Sequence, residues 1–149
     1  MKRIIALLMA AALAIGLAVC AAEDGSAAQT ASAWLDQDGS VVLVTVDLTG
    51  GWSVEFARGA AYLYDGAITE GKECVAMLVT LDKEVYDEDL AAAQAEGNAA
   101  EAGGGIVYPS YEGWTCLARV EDAAYYLIQA YGDVDVEDIC ARFVVEPET

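Results

Sequence analysis

The clearest signal along the chain is alternation. In residues 41–49, Val42, Val44, Val46 and Leu48 fall on one face and Val41, Leu43, Thr45 and Asp47 on the other. That two-residue period predicts a strand, bracketed by turn signals at Asp38-Gly39 and Gly50-Gly51. Trp52, Val54 and Phe56 then alternate with Ser53, Glu55 and Ala57, and residues 60–64 continue the β character until Asp65-Gly66 turns the chain. Residues 74–81 (CVAMLVTL) are apolar on both faces, the mark of a central strand.

Residues 87–96 (DEDLAAAQAE) predict a helix. Three acids sit where the helix dipole favours them, the alanines have high helix propensity, and Gly97 stops the run. Its single large apolar residue, Leu90, places it shallowly on the surface. Residues 97–105 (GNAAEAGGG) read as a mobile loop, because three consecutive glycines hold one conformation only at high entropic cost. Residues 106–108, 114–120 and 124–131 predict three further strands, the last two joined at Glu121-Asp122. The final helix rests on Val136, Ile139, Cys140 and Phe143, an i, i+3, i+4, i+7 stripe expected to cover the sheet, with Asp135 and Asp138 in a capping arrangement. Consecutive hairpins with two helices predict an α+β domain: an antiparallel sheet of about six strands packed by two helices.

The N-terminus follows a different pattern. Lys2 and Arg3 precede 16 uncharged residues, Ile4 to Val19, and small residues follow before Glu23 and Asp24. Residues 1–22 are the layout of a secretory signal peptide. Leu17-Ala18-Val19-Cys20 resembles a bacterial lipobox, in which Cys20 is lipidated and becomes the new N-terminus; Val19 stands where the pattern has a small residue. Cleavage near Ala21 or Ala22 gives a secreted protein, and retention gives a signal anchor, since residues 4–22 are barely long enough to span a bilayer. All three place the body outside the cytoplasm, on a bacterial cell membrane or free of it. Residues 23–33, small and polar, read as a flexible tether, leaving 34–149 as a single domain.

Composition narrows the chemistry. Seven basic residues against 25 acidic give a net charge of −18, and loss of Lys2 and Arg3 with the leader takes it to −20. Such a surface repels phosphate, which excludes nucleic-acid binding. It also resists an anionic membrane, so the membrane contact is through the anchor. There is no His, hence no Ser-His or Cys-His couple and no commonest metal ligand. Ser53 and Ser110 have no evident base, with Lys72 and Lys83 the formal candidates. A mean hydropathy of +0.35 argues against disorder.

Asp36-Gln37-Asp38-Gly39-Ser40 opens like a calcium loop, but its twelfth position is Asp47 within a strand, so a plain turn is the reading. The carboxylates at 133–138 are accounted for by helix capping. No metal site and no cofactor are predicted.

Two sets of residues remain. Cys116 shares a strand face with Trp114, Ala118 and Val120, and Cys140 lies on the last helix's stripe. If that helix covers that face, a Cys116–Cys140 disulfide staples helix to sheet; otherwise Cys74, Cys116 and Cys140 are three buried thiols. Tyr108, Tyr111 and Trp114 flank Pro109 and Gly113 beside the glycine loop. They form an aromatic rim for an unknown protein, glycan or small molecule, or else serve turn packing.

The succession of Gly51-Trp52, strands, acidic helix, glycine-rich loop, Gly113-Trp114, a strand ending Ala130-Tyr131-Gly132-Asp133 and a last amphipathic helix resembles the PsbP-like family over residues of about 41–145. The resemblance implies an α/β/α sandwich around an antiparallel sheet and a binding or assembly role. The expectation is a lipid-anchored, non-catalytic cell-envelope protein that binds or scaffolds a partner. The alternatives are a carboxylate-dependent hydrolase and a weak divalent-cation-binding domain.

Overall fold

The computed structural model describes residues 17–20, 29–37 and 40–148. The predicted leader falls outside the described residues apart from 17–20, and so do residues 23–28 of the predicted tether.

The valine ladder at 42, 44 and 46 organises one of two sheets. β1 is Leu17–Cys20, β2 is Thr30–Gln37 and β3 is Ser40–Asp47. β3 carries the ladder and is flanked by β2 on one side and by β11 (Phe143–Pro147) on the other, all antiparallel. Register sets Ala33, Val44 and Val145 side by side, and Ala31, Val46 and Phe143 beside them, all buried. The opposite face, with Trp34, Leu43 and Val144, looks outward, as alternation requires. The chain is therefore already ordered at Thr30, upstream of the expected start at Trp34. Ala31 and Ala33 are too small to mark a strand by hydropathy, yet they are only 7% and 8% exposed.

Gly50 and Gly51, at φ 97° and 91°, take the chain out of this sheet instead of folding it back as a hairpin. It enters an eight-stranded antiparallel sheet built from β1 together with β4 (Ser53–Ala57), β5 (Ala60–Tyr64), β6 (Ala76–Leu81), β7 (Ala100–Ala102), β8 (Gly105–Ser110), β9 (Gly113–Val120) and β10 (Ala124–Tyr131). The order across it is β1-β4-β5-β6-β10-β9-β8-β7. Within β1, Val19 stands opposite Val54 and Cys20 opposite Ser53.

Parity divides the large sheet into two faces. Val54, Phe56, Leu63, Leu78, Cys116 and Ile128 point to the small sheet and form the main core with its valines. Leu117 and Tyr125 point the other way, to α1 (Lys83–Glu96), where Tyr86 meets Tyr125 with ring centroids 5.0 Å apart. The layers are thus helix, large sheet and small sheet. α2 (Val136–Ala141) sits with the small-sheet layer and sends Ile139 and Cys140 into the main core.

Antiparallel strands with two helices make the fold α+β. Among the described residues it has eleven strands where about six were expected, and a three-stranded sheet stands on the side where an α/β/α arrangement has helices. α1 begins four residues earlier than its acidic run, with Asp82 as N-cap, and ends at Gly97 in the left-handed conformation. It buries little, only Tyr86 and Ala93, in keeping with its shallow seat. The last helix ends two residues short of its stripe: Phe143 is buried as the first residue of β11, opposite Val46. Asp135 caps α2 as expected, its carboxylate accepting from the Glu137 and Asp138 N–H groups at 3.1 and 3.2 Å.

The expected mobile loop at 97–105 is instead a hairpin. Ala102 pairs with Gly105 across Gly103 and Gly104, which take φ of 60° and 80°. Two consecutive positive φ values are what a two-residue type I′ turn demands, and Gly-Gly satisfies them without strain. The glycines thus support one tight turn where composition alone read mobility.

Arg142 ties the layers where α2 meets β11. Its guanidinium donates to the carbonyl oxygens of Asp47 and Thr49 at 3.2 and 3.1 Å, and lies 4.3 Å from the Trp52 ring centroid. One cation thereby closes the end of β3 and the crossing to the large sheet.

Candidate functional site

The three aromatic residues of the expected rim do not share a surface. Ser110 pairs with Gly113, so Tyr108 stands opposite Thr115 and Pro109 opposite Trp114. Tyr108 therefore faces α1, where it packs against the cluster of Tyr86, Leu117 and Tyr125. Trp114 follows the parity of Cys116 and faces the other way, 37% exposed. Tyr111 lies in the turn between them with its ring fully in solvent. Beside Tyr108, Thr115 Oγ1 donates to Gln129 Oε1 at 2.7 Å, and Gln129 Nε2 donates to Ser110 Oγ at 2.9 Å and to the Ala130 carbonyl at 3.1 Å. This network uses both amide donors of Gln129 internally, so it supports the strand ends and leaves little for a ligand. Burial pushes the Tyr108 hydroxyl above the ordinary tyrosine range, and Asp89 adds to the shift.

A concavity adjoins this cluster: a groove of about 540 Å³ runs between α1 and the β7–β8 hairpin. Leu90, Ala102 and Ile106 give it apolar lining, and Asp87, Gln94, Glu101 and Arg119 give it polar groups. Its volume is in the range of small-ligand sites, and its open lining mixes polar and apolar groups in near-equal measure. Asp87 is paired with Lys83 one turn earlier on α1. Arg119 reaches Asp122 at 3.5 Å, a loose exposed pair that releases the guanidinium at small cost. Exposed Glu101 adds negative charge from β7.

Sequence reading missed this groove because Glu101, Gly104 and Gly105 lay in the segment taken for a mobile loop. The missed signal is a two-residue Gly-Gly turn, Gly103-Gly104, between short β-prone stretches.

The candidate acid–base and nucleophilic groups are dispersed. Ser53 Oγ is buried in the large sheet without a hydrogen-bond partner among the described residues, and Ser110 Oγ belongs to the Gln129 network. Lys72 donates to the Asp65 carbonyl and Lys83 pairs with Asp87, so each ammonium is engaged away from both serines. Among the described residues no three His, Cys, Asp or Glu side chains are grouped to hold a metal ion. Of the sequence with calcium-loop character, residues 38 and 39 lie outside the described residues. Asp47 accepts from the Thr49 N–H at 2.9 Å, and hydrogen bonding to Thr49 holds its carboxyl below the ordinary carboxylate range.

The cysteines, by contrast, are brought together. Cys116 in the middle of β9 and Cys140 on α2 are buried as neighbours in the main core, while Cys74, half-buried, lies apart ahead of β6. Cys20 lies in β1.

No family model matches the chain, and neither a curated protein nor a solved structure matches it.

Proposed function

We propose that the chain is an exported bacterial cell-envelope protein, anchored through lipid on Cys20, with a non-catalytic role: binding a small amphiphilic ligand in the groove between α1 and the β7–β8 hairpin. The groove is the observation that carries the binding role. Its apolar residues suit a hydrocarbon or aromatic body, and Glu101 together with the chain's net charge of −18 favours a cationic head over an anionic one, against the single lining cation Arg119. The basic n-region, uncharged run and lipobox-like 17–20 support the anchor. Processing ahead of Cys20 removes Leu17–Val19 from β1 and leaves the lipidated residue opposite Ser53, so the anchor leaves the body beside β4. The antiparallel sheet with a helix on one face is the part of the PsbP-like resemblance that supports a binding or assembly role.

Two measurements test the proposal. Intact mass of protein extracted from the membrane fraction is expected to fit a chain beginning at a lipid-bearing Cys20; an unmodified mass overturns the anchor. For the groove, fluorescence titration compares a naphthalene dye carrying a quaternary ammonium with its sulfonate counterpart. The ammonium dye is expected to bind at least tenfold more tightly, and Ala102→Trp to abolish its binding with the circular dichroism spectrum unchanged. Equal affinities, or binding that survives Ala102→Trp, remove the groove from the proposal.

A further inference from the structure

We propose that Cys116 and Cys140 form a disulfide under oxidising conditions, stapling α2 to the centre of β9 beneath the β7–β8 turn. Cys116 stands opposite both Val107 and Ile128, in the interior of the large sheet, and is 0% exposed. Cys140 is on the last turn of α2 and 4% exposed. α2 packs on β9, and both cysteines are neighbours in the same buried cluster, which brings the two elements to be joined together before any bond forms.

The turn above is shaped around the pair. A Cβ at Gly103 would lie 2.8 Å from Cys140 Cβ and 3.0 Å from its Sγ, so the turn rests on the cysteine with no space for a side chain. Ala102 and Gly104, on either side of Gly103, line the groove. The staple therefore sits directly under the groove's wall. Cys74, just ahead of the central strand β6 and near Tyr64 and Tyr131, stays free. One pair and one free thiol account for the odd number in the folded body.

Oxidation proceeds by two thiol–disulfide exchanges. The thiolate of one cysteine of the pair attacks oxidised glutathione or another small disulfide, forming a mixed disulfide and expelling one thiolate. The other cysteine, losing its proton, then attacks the protein sulfur of that mixed disulfide and expels the second. The protein gives up two electrons and two protons, and the oxidant becomes two thiols. Both cysteines are buried in the folded body, so the exchange belongs to the folding chain, before the core closes.

The test uses the full chain, refolded from the reduced, denatured state in a glutathione redox buffer. Free thiols are trapped with N-ethylmaleimide in denaturant and the protein is digested for mass spectrometry. The expected product is a cross-linked peptide pair containing Cys116 and Cys140, two hydrogens lighter than the separate peptides, with Cys74 alkylated. A phosphine reductant is expected to lower the thermal midpoint by roughly 10 °C, and to have no such effect on the Cys116→Ala, Cys140→Ala double variant. Alkylation of both Cys116 and Cys140 after oxidation, or a bridge from either to Cys74 or Cys20, overturns the proposal. Because the mapping is done on the unaltered chain, it stands whether or not the double variant folds.

Discussion

Tyr126 shows how a single side chain records its surroundings. It lies on the main-core face of β10, opposite Ala118 and Thr80. Burial, with the Cys116 and Cys140 thiols as the next contributions, pushes its hydroxyl up to about 12 from an ordinary 10.0. A raised folded-state value means the fold favours the protonated phenol. That contribution to stability is complete below pH 10 and is lost as pH rises towards 12. Tyr126→Phe keeps the ring and removes the titration, so urea midpoints measured from pH 9 to 12 are expected to fall less steeply than in the unaltered chain. Some slope persists, because Tyr64, Tyr108 and Tyr131 are shifted upward too, chiefly by burial. An unchanged slope in the Phe variant would place the alkaline sensitivity elsewhere.

Among elements, the β7–β8 hairpin gives the sharpest contrast between neighbouring positions. A Cβ at Gly103 meets Cys140, whereas one at Gly104 meets nothing within 4 Å. Both φ values are positive, a conformation Asn tolerates better than other non-glycine residues. Gly104→Asn is therefore expected to stay within about 1 kcal/mol of the parent in chemical denaturation, and Gly103→Ala to cost about 2–3 kcal/mol. Equal effects would mean that the contact with Cys140 is not what confines the turn. This hairpin also marks where sequence stops being legible. The cores of β3, β4, β5, β9 and β10 were readable because Val42, Val54, Leu63, Ile128 and their neighbours keep a two-residue period. β2 was not, since Ala31 and Ala33 carry the period with side chains too small to register. The stripe ending at Phe143 had the right burial and the wrong element, because a strand entering the core after a short helix meets the same demand. The candidate site fared worse for a related reason. Tyr108 and Trp114 are near in sequence, but whether they share a face depends on the register across the turn at Tyr111. Register is a property of pairing, and composition does not contain it.

For the whole molecule, the decisive arrangement is that β3 is completed from both ends of the chain. β2 precedes it directly, while β11 arrives after nearly 100 intervening residues (from Asp47 to Phe143) have built the large sheet. Phe143 and Val145 fill the main core from this last strand. Truncation after Arg142 removes both. Loss of large core side chains costs about 2–5 kcal/mol each, comparable with the full stability of an ordinary domain. The truncated chain is expected to show no cooperative thermal transition by circular dichroism; a transition within a few degrees of the parent's would show the small sheet to be dispensable.

That placement of β11 has a temporal side. A polypeptide leaves a ribosome or a translocation pore starting from its amino end, and here the valines of the early ladder wait for their second neighbour until residues 143–147 have emerged. Until then, the growing molecule holds a greasy ribbon with one side unclaimed. Its survival in that interval depends on speed of synthesis and on whatever chaperone attends the exit, and a stalled or prematurely terminated product would be recognised by proteases as unfinished.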